Sequence, residues 1–251
     1  MTITTLTTTS WRDELRDWHQ RRLAETTADH GIAALVSNTW LTAQPAPVPG
    51  LPGVWSARDG VARGEAGAWS YFLAGGESQL FGVKRARVIA QRSSLALRVF
   101  DPEALSRTSV ADIAGFPPEE SWRLIGRFEP ADPGSRRLIE HFDGARTDDA
   151  VAGVVRVEVA GHSAALLAFP VADGRLQVTF ADRTNGRTTA QFRFLSLPRP
   201  EADGSILVDF NRAYLPNCAF SDHYLCALPP QQNRLPVEVT AGETFVKRFP
   251  L

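Results

Sequence analysis

From about residue 79 to residue 197, apolar side chains recur at every second position. Leu95, Leu97 and Val99 alternate with Ala96 and Arg98. Trp122, Leu124, Gly126 and Phe128 keep the same beat, and Val155, Val157 and Val159 line up within a β-branched run, Val151 to Val159. Leu176, Val178 and Phe180 are followed by Ala190, Phe192 and Phe194. Successive side chains of a strand point to opposite faces, so a period of two gathers each set on one face of a sheet. Gln79–Val83, Ala86–Gln91 and Leu95–Phe100 also read as strands, with Gln91-Arg92-Ser93-Ser94 as a hairpin turn. Thr184-Asn185-Gly186-Arg187 carries Asn-Gly, the strongest short hairpin signal. Short strands separated by short turns predict a mostly β fold, an antiparallel β-barrel or sandwich.

The N-terminal part has a different rhythm. Residues 1–9 read as a Thr-rich disordered arm. Ser10-Trp11-Arg12-Asp13 has the form of a capping box, and Trp11, Leu15, Trp18 and Arg22 follow at helical spacing. The spacing predicts an N-terminal α-helical cap over residues 10–28, with its tryptophan face inward. Pro45, Pro47, Pro49 and Pro52, with Gly50 and Gly53, make residues 42–55 an extended connector, because proline neither continues a helix nor donates to a ladder. The expected organisation is residues 1–55 as arm, helical cap and connector, and residues 56–251 as the β body, one domain overall.

Composition excludes several classes. The net charge of −1 offers no general pull toward nucleic acid or an anionic membrane. Of 27 basic residues only Lys84 and Lys247 are lysines, and the arginines are scattered along the chain instead of clustered as a binding patch requires. No apolar run approaches the about 20 residues of a membrane span, and Met1–Leu6 lacks the pattern of a signal peptide. The expectation is a cytoplasmic protein with reduced Cys218 and Cys226, no cofactor, and no nucleic-acid or membrane partner. The oligomeric state is not legible.

The chain after Ile206-Leu207-Val208 breaks the alternation. Asp209-Phe210-Asn211-Arg212-Ala213-Tyr214-Leu215-Pro216 runs through Cys218, His223 and Cys226 to Pro229-Pro230 and Asn233-Arg234-Leu235-Pro236. Such irregular stretches are usually functional or disordered. Phe210, Tyr214, Phe220, Tyr224 and Leu225 supply an apolar anchor every few residues, unlike a disordered tail, so a long ordered C-terminal loop is predicted. This segment, with Ala241-Gly242-Glu243 and the upstream Asp182-Arg183-Thr184-Asn185-Gly186 and Arg193-Phe194-Leu195, resembles the DUF1684 family, a family of unknown function. Leu97-Arg98-Val99-Phe100-Asp101 is similar to a weaker, more N-terminal motif, and the likeness runs from about residue 70 to 245. It departs from the family at Pro216-Asn217, where a proline doublet is usual, at His223-Tyr224-Leu225 and at Ala190-Gln191. The resemblance implies a shared fold rather than an activity.

Several chemistries fit the residues of the loop. Cys218, His223 and Cys226 hold zinc-ligand types at C-x4-H-x2-C spacing, which is not that of a zinc ribbon. The same cysteines read as buried structural thiols, with a disulfide or a thiolate activated by His223 as further alternatives. Asp209, Asn211, Arg212, Tyr214, Asn233, Arg234 and Glu243 are many polar groups in an apolar, proline-rich stretch, and buried polar groups need partners. Either they pin the loop to the sheets, or one of them faces a cavity. On the second reading Asp209, Glu243 and His223 are the candidate acid–base groups, and Asn211, Arg212, Tyr214, Asn233, Arg234, Asp182 and Arg193 the ligand-binding groups. Gly161-His162-Ser163 superficially resembles a nucleophile elbow, but its all-β surroundings make a hairpin turn the better reading. No phosphate loop, dinucleotide fingerprint or HExxH is present. The function expected is binding of a small molecule at the mouth of the β body, with non-redox isomerisation, cyclisation or hydrolysis as the enzymatic form; the alternative is a structural or interaction module.

Overall fold

Ser10 caps the first helix as the sequence predicts: the Asp13 N–H donates to Ser10 Oγ at 3.2 Å, and the Ser10 N–H reaches back to Asp13 Oδ2 at 3.3 Å. The helix spans Trp11–Thr27, buries Leu15, and leaves Trp11 beneath the Arg123 guanidinium, 5.1 Å from its ring centre. The computed structural model describes residues 10–250 except Arg92, Phe142 and Asp143. The expected arm at residues 1–9 lies outside the described residues, as does Arg92 of the expected turn, whose flanks Gln91 and Ser94 do pair. The fold is mostly β, 47% strand against 16% helix, with antiparallel sheets that include a half-barrel. No helix among the described residues is long and apolar enough to cross a membrane.

The chain divides into two compact units. Of the described residues, the first comprises those within 10–23, 113–216 and 226–246, and is built on a six-stranded antiparallel sheet. Its strand order is Arg193–Leu197, Leu176–Phe180, His162–Pro170, Gly153–Val159, Arg123–Pro130, Ser205–Asp209. One face is the core: Val155, Val157, Val159, Leu166, Val178, Phe180, Leu195, Ile206, Val208 and Phe210 are all buried. Each fully buried side chain of this kind contributes about 1.5–3 kcal/mol. The segment at Gly161 is a tight hairpin turn, with Val159 paired to His162 and Ala160 and Gly161 both at positive φ, so the nucleophile-elbow geometry is absent there. A separate hairpin, Arg136–Glu140 with Arg146–Ala150, belongs to the same unit.

Of the described residues, the second unit comprises those within 24–112, 217–225 and 247–250. It holds a four-stranded sheet in the order Leu35–Trp40, Ser94–Phe100, Lys84–Gln91, Ser78–Phe81, and a meander of Ala46–Pro47, Val54–Arg58, Val61–Ala66 and Trp69–Ala74. The proline-rich stretch is not a separating connector, because Val48 packs in one core with Trp55, Leu73 and Leu97. The meander was not predicted from the sequence, although Asp59-Gly60 closes its central hairpin with both residues at positive φ.

One register differs from expectation. Leu176–Phe180 pairs with Arg193–Leu197, Phe180 opposite Arg193, instead of with a strand beginning at Ala190. Side chains capture the intervening backbone: Asp182 Oδ1 accepts from the Thr184 N–H at 2.8 Å, and Asn185 Nδ2 donates to the Ala190 carbonyl at 2.6 Å. These local bonds hold residues 181–192 as an ordered loop where Asn-Gly alone suggests a two-residue turn.

Candidate functional site

The register of the first sheet drives Arg193 into the core face, opposite Phe180, and its side chain is completely buried. A buried guanidinium needs acceptors, and the irregular C-terminal segment supplies them. Nη2 donates to Asp182 Oδ2 at 2.7 Å and to the Val239 carbonyl at 2.8 Å. Nη1 donates to the Ala241 carbonyl at 2.5 Å and the Glu243 carbonyl at 3.3 Å. The guanidinium carbon sits 5.2 Å from the centre of the Phe180 ring. Burial pulls the Arg193 pKa below its ordinary value, and the Asp182 carboxylate opposes that pull. Asp182 is used on both oxygens, its Oδ1 accepting from Thr184 and from the Val239 N–H.

The other predicted polar residues form similar closed sets. Glu243 is 2% exposed; Oε1 accepts from Arg22 Nε at 2.6 Å and Oε2 from the Leu215 N–H at 2.7 Å. Asp209 caps the turn Phe210–Arg212, accepting the Asn211 N–H at 3.1 Å, and has Arg123 Nε at 3.6 Å and Arg212 Nε at 3.7 Å. Asn211 receives the Glu119 N–H and donates to the Glu119 carbonyl, tying the segment to residues 92 positions earlier. Asn233 is fully buried and joins two strands, accepting from the Leu167 N–H at 2.7 Å and donating to the Leu167 and Thr179 carbonyls at 3.0 and 2.9 Å. Asp209 and Glu243, the candidate acid–base groups, are thus occupied by backbone and guanidinium partners.

Four predicted residues lie apart from these sets. Arg234 is exposed. His223 is exposed and, like Cys218, belongs to the second unit. Cys218 is half-buried and Cys226 buried, and among the described residues no group of three or more His, Cys, Asp or Glu side chains is placed to hold a metal ion. The zinc alternative therefore has no assembled ligand set.

Tyr214 connects the closed network to open space. Arg22 stacks on one side of its ring at 4.7 Å, Phe194 lies 5.7 Å away, and its hydroxyl accepts from Gln177 Nε2 at 2.9 Å. Burial raises the Tyr214 pKa, with Arg22 pulling the other way. Gln177 in turn lines a cavity of about 400 Å³ in the first unit. The cavity lies on the sheet face opposite the core: Gln177 pairs with Phe169, and Thr179 with Phe194, and all four line it. Ile139 and Asp149 of the hairpin and Ala227, Leu228 and Pro230 of the C-terminal segment complete the wall. Thr147 Oγ1 donates to Asp149 Oδ2 at 3.1 Å and lies 2.8 Å from His141 Nε2, a short polar chain ending at the cavity. None of the sequence-predicted residues lines this space. Its lining includes Phe194, which the alternation Ala190, Phe192, Phe194 assigns to the core face; the strand instead turns Arg193, Leu195 and Leu197 inward.

This arrangement defines a β half-barrel unit whose irregular C-terminal segment is fastened by buried polar side chains beside an amphipathic cavity. The chain belongs to the DUF1684 family, a family of unknown function, whose model matches residues 109–244. The match starts well after residue 70, so the Leu97–Asp101 likeness falls outside it, and every residue lining the cavity falls inside it. No curated protein matches the chain. Among solved structures it is similar to an uncharacterized protein of Haloarcula marismortui known from solution NMR, at 29% identity over 56% of this chain and 77% of that one, with a TM-score of 0.44.

Proposed function

We propose that the first unit binds a small amphipathic molecule in the cavity between the outer sheet face and the hairpin. The observation that carries this reading is the lining itself. A space of about 400 Å³ falls in the range of ligand pockets, and it is walled by aromatics and prolines with a few convergent polar groups. Phe169 and Phe194 offer apolar faces to a flat body. The Asp149 carboxylate, the Gln177 amide and the Thr179 hydroxyl suit a donating or cationic end, and aromatic faces add attraction for a cation. Binding is favoured over catalysis at Asp209 or Glu243, because both are held by other groups and neither lines the cavity. The polar residues of the C-terminal segment then act as fasteners that set the position of its wall.

Phenethylamine, an aromatic ring with an ammonium end, is a suitable probe, with neutral indole beside it. Titration followed by amide NMR is expected to give saturable shifts at Phe169, Gln177 and Thr179, lost when Ala227→Trp fills the space. Absence of saturable shifts at these amides with both probes would defeat the reading.

A further inference from the structure

The four-stranded sheet of the second unit has two unlike faces. Ala86, Val88, Leu95, Leu97 and Val99 form the buried side. Alternation puts the intervening residues on the other side, and the register fixes their order. Asn38 lies opposite Arg98, Arg98 opposite Arg87, and Arg87 opposite Ser78, one row across all four strands. Arg85 is two residues from Arg87 on the same strand, hence on the same face, opposite Phe100.

Two arginines directly opposite each other in an antiparallel pair have Cβ atoms about 4.5–5.5 Å apart, and like charges so placed repel. The ion pairs of the second unit's described residues engage other cations. Asp101 pairs with Lys84 at 3.0 Å, Asp29 with Arg107 at 2.6 Å, Asp59 with Arg63 at 3.4 Å and Asp112 with Lys247 at 3.5 Å. Glu77 accepts the Ala74 N–H. Among the described residues no carboxylate is ion-paired with Arg85, Arg87 or Arg98. Arg98 instead lies over the Tyr224 ring at 5.2 Å. Three polar atoms of the face, Arg85 Nε, Arg98 Nε and Asn38 Oδ1, are buried without a hydrogen-bond partner. The two guanidinium donors left unused, Arg85 Nε and Arg98 Nε, beside concentrated positive charge are what a multiply charged oxyanion satisfies, since each guanidinium presents a fork that matches phosphoryl oxygens.

We propose that the Arg85–Arg87–Arg98 face binds a phosphoryl group bearing two or more negative charges. The site uses residues of the second unit alone and is independent of the function proposed for the first. Arg87 is exposed and presents the approach side, while Arg85 and Arg98 are half-buried and set the floor.

Pyrophosphate is the probe, titrated calorimetrically into the full chain at low ionic strength, with acetate as a monovalent control. Saturable binding is expected for pyrophosphate and not for acetate. Arg87→Gln and Arg98→Gln are each expected to weaken it by about tenfold or more, the loss of one charge-assisted bidentate contact. Arg137→Gln, on the exposed hairpin of the other unit, is expected to leave it unchanged. Arg87 makes no side-chain hydrogen bond or ion pair among the described residues, so its variant is expected to retain the fold, which circular dichroism checks. Cosedimentation with phosphatidate vesicles, against phosphatidylcholine vesicles, separates the sources: retention that depends on Arg87 assigns the group to a lipid headgroup, and pyrophosphate binding without retention assigns it to a soluble compound. Failure of both probes to bind, or binding that survives in the Arg87→Gln/Arg98→Gln double variant, overturns the proposal.

Discussion

Arg193 Nη2 lies 2.7 Å from Asp182 Oδ2, and neither side chain has any surface open to water. An ion pair so placed stabilises weakly relative to a well-packed apolar pair, but removing one partner strands the other charge. Arg193 also gathers the carbonyls of Val239, Ala241 and Glu243, so its loss orphans three acceptors as well. Arg193→Met is expected to destabilise the protein by about 3–5 kcal/mol, read from urea unfolding. Adding Asp182→Leu is expected to return part of that loss; a double variant no more stable than Arg193→Met alone would contradict the pairing as the main source.

Asn233 tests the fastening of the C-terminal segment by a subtler change. Asn233→Asp keeps shape but sets carboxylate oxygens against the Leu167 and Thr179 carbonyls, which now receive Nδ2. Two buried acceptors lose their donor, and a cost of about 2–5 kcal/mol is expected from thermal and urea denaturation. Asn233→Asp unfolding at the wild-type denaturant midpoint would show that these bonds contribute nothing.

Gly242 sits at φ +76°, and a Cβ there would meet the Ala213 carbonyl oxygen at 2.5 Å and the Phe210 carbonyl oxygen at 2.8 Å. Both are backbone atoms of the segment held by Glu243, so they cannot swing aside like a flexible side chain. Gly242→Ala is expected to cost about 1–3 kcal/mol, whereas Gly186→Ala, also at positive φ but in open space, bears only the backbone term. Comparing the two denaturation midpoints separates crowding from conformation.

Burial raises the Tyr214 pKa above its ordinary value near 10. The unfolded chain therefore releases this proton at lower pH than the folded one. The associated stability is fully present below about pH 10 and is lost as pH rises through the folded pKa. Denaturation midpoints are expected to fall across this alkaline range, less steeply in Tyr214→Phe, and absorbance titration is expected to find one of the three tyrosines ionising late. Equal slopes for wild type and Tyr214→Phe would refute the assignment.

Strands with one cleanly apolar side, such as Gly153–Val159 and Leu176–Phe180, were legible because burial of a single face imposes the period of two. The meander Val54–Ala74 was not, since each of its strands buries little: Trp55, Ala62, Gly64 and Leu73 are its buried residues. The polar residues of the C-terminal segment stood out as a set, and the structure brings Asp182, Arg193 and Glu243 together around one guanidinium. Which of two roles they serve was not legible, because that depends on whether carbonyls such as those of Val239 and Ala241 turn toward them. The cavity was hidden because its walls come from stretches as distant in sequence as Ile139 and Pro230. Arg85, Arg87 and Arg98 looked scattered along the chain, and only the pairing of two strands makes them neighbours.

The bond between Arg22 and Glu243 spans 221 residues. During synthesis the first helix leaves the ribosome long before the strand that carries its partner, and loops of that span close late and slowly. Throughout that interval the nascent sheet lacks the cover of that segment, and incompletely covered apolar faces are where growing chains associate wrongly.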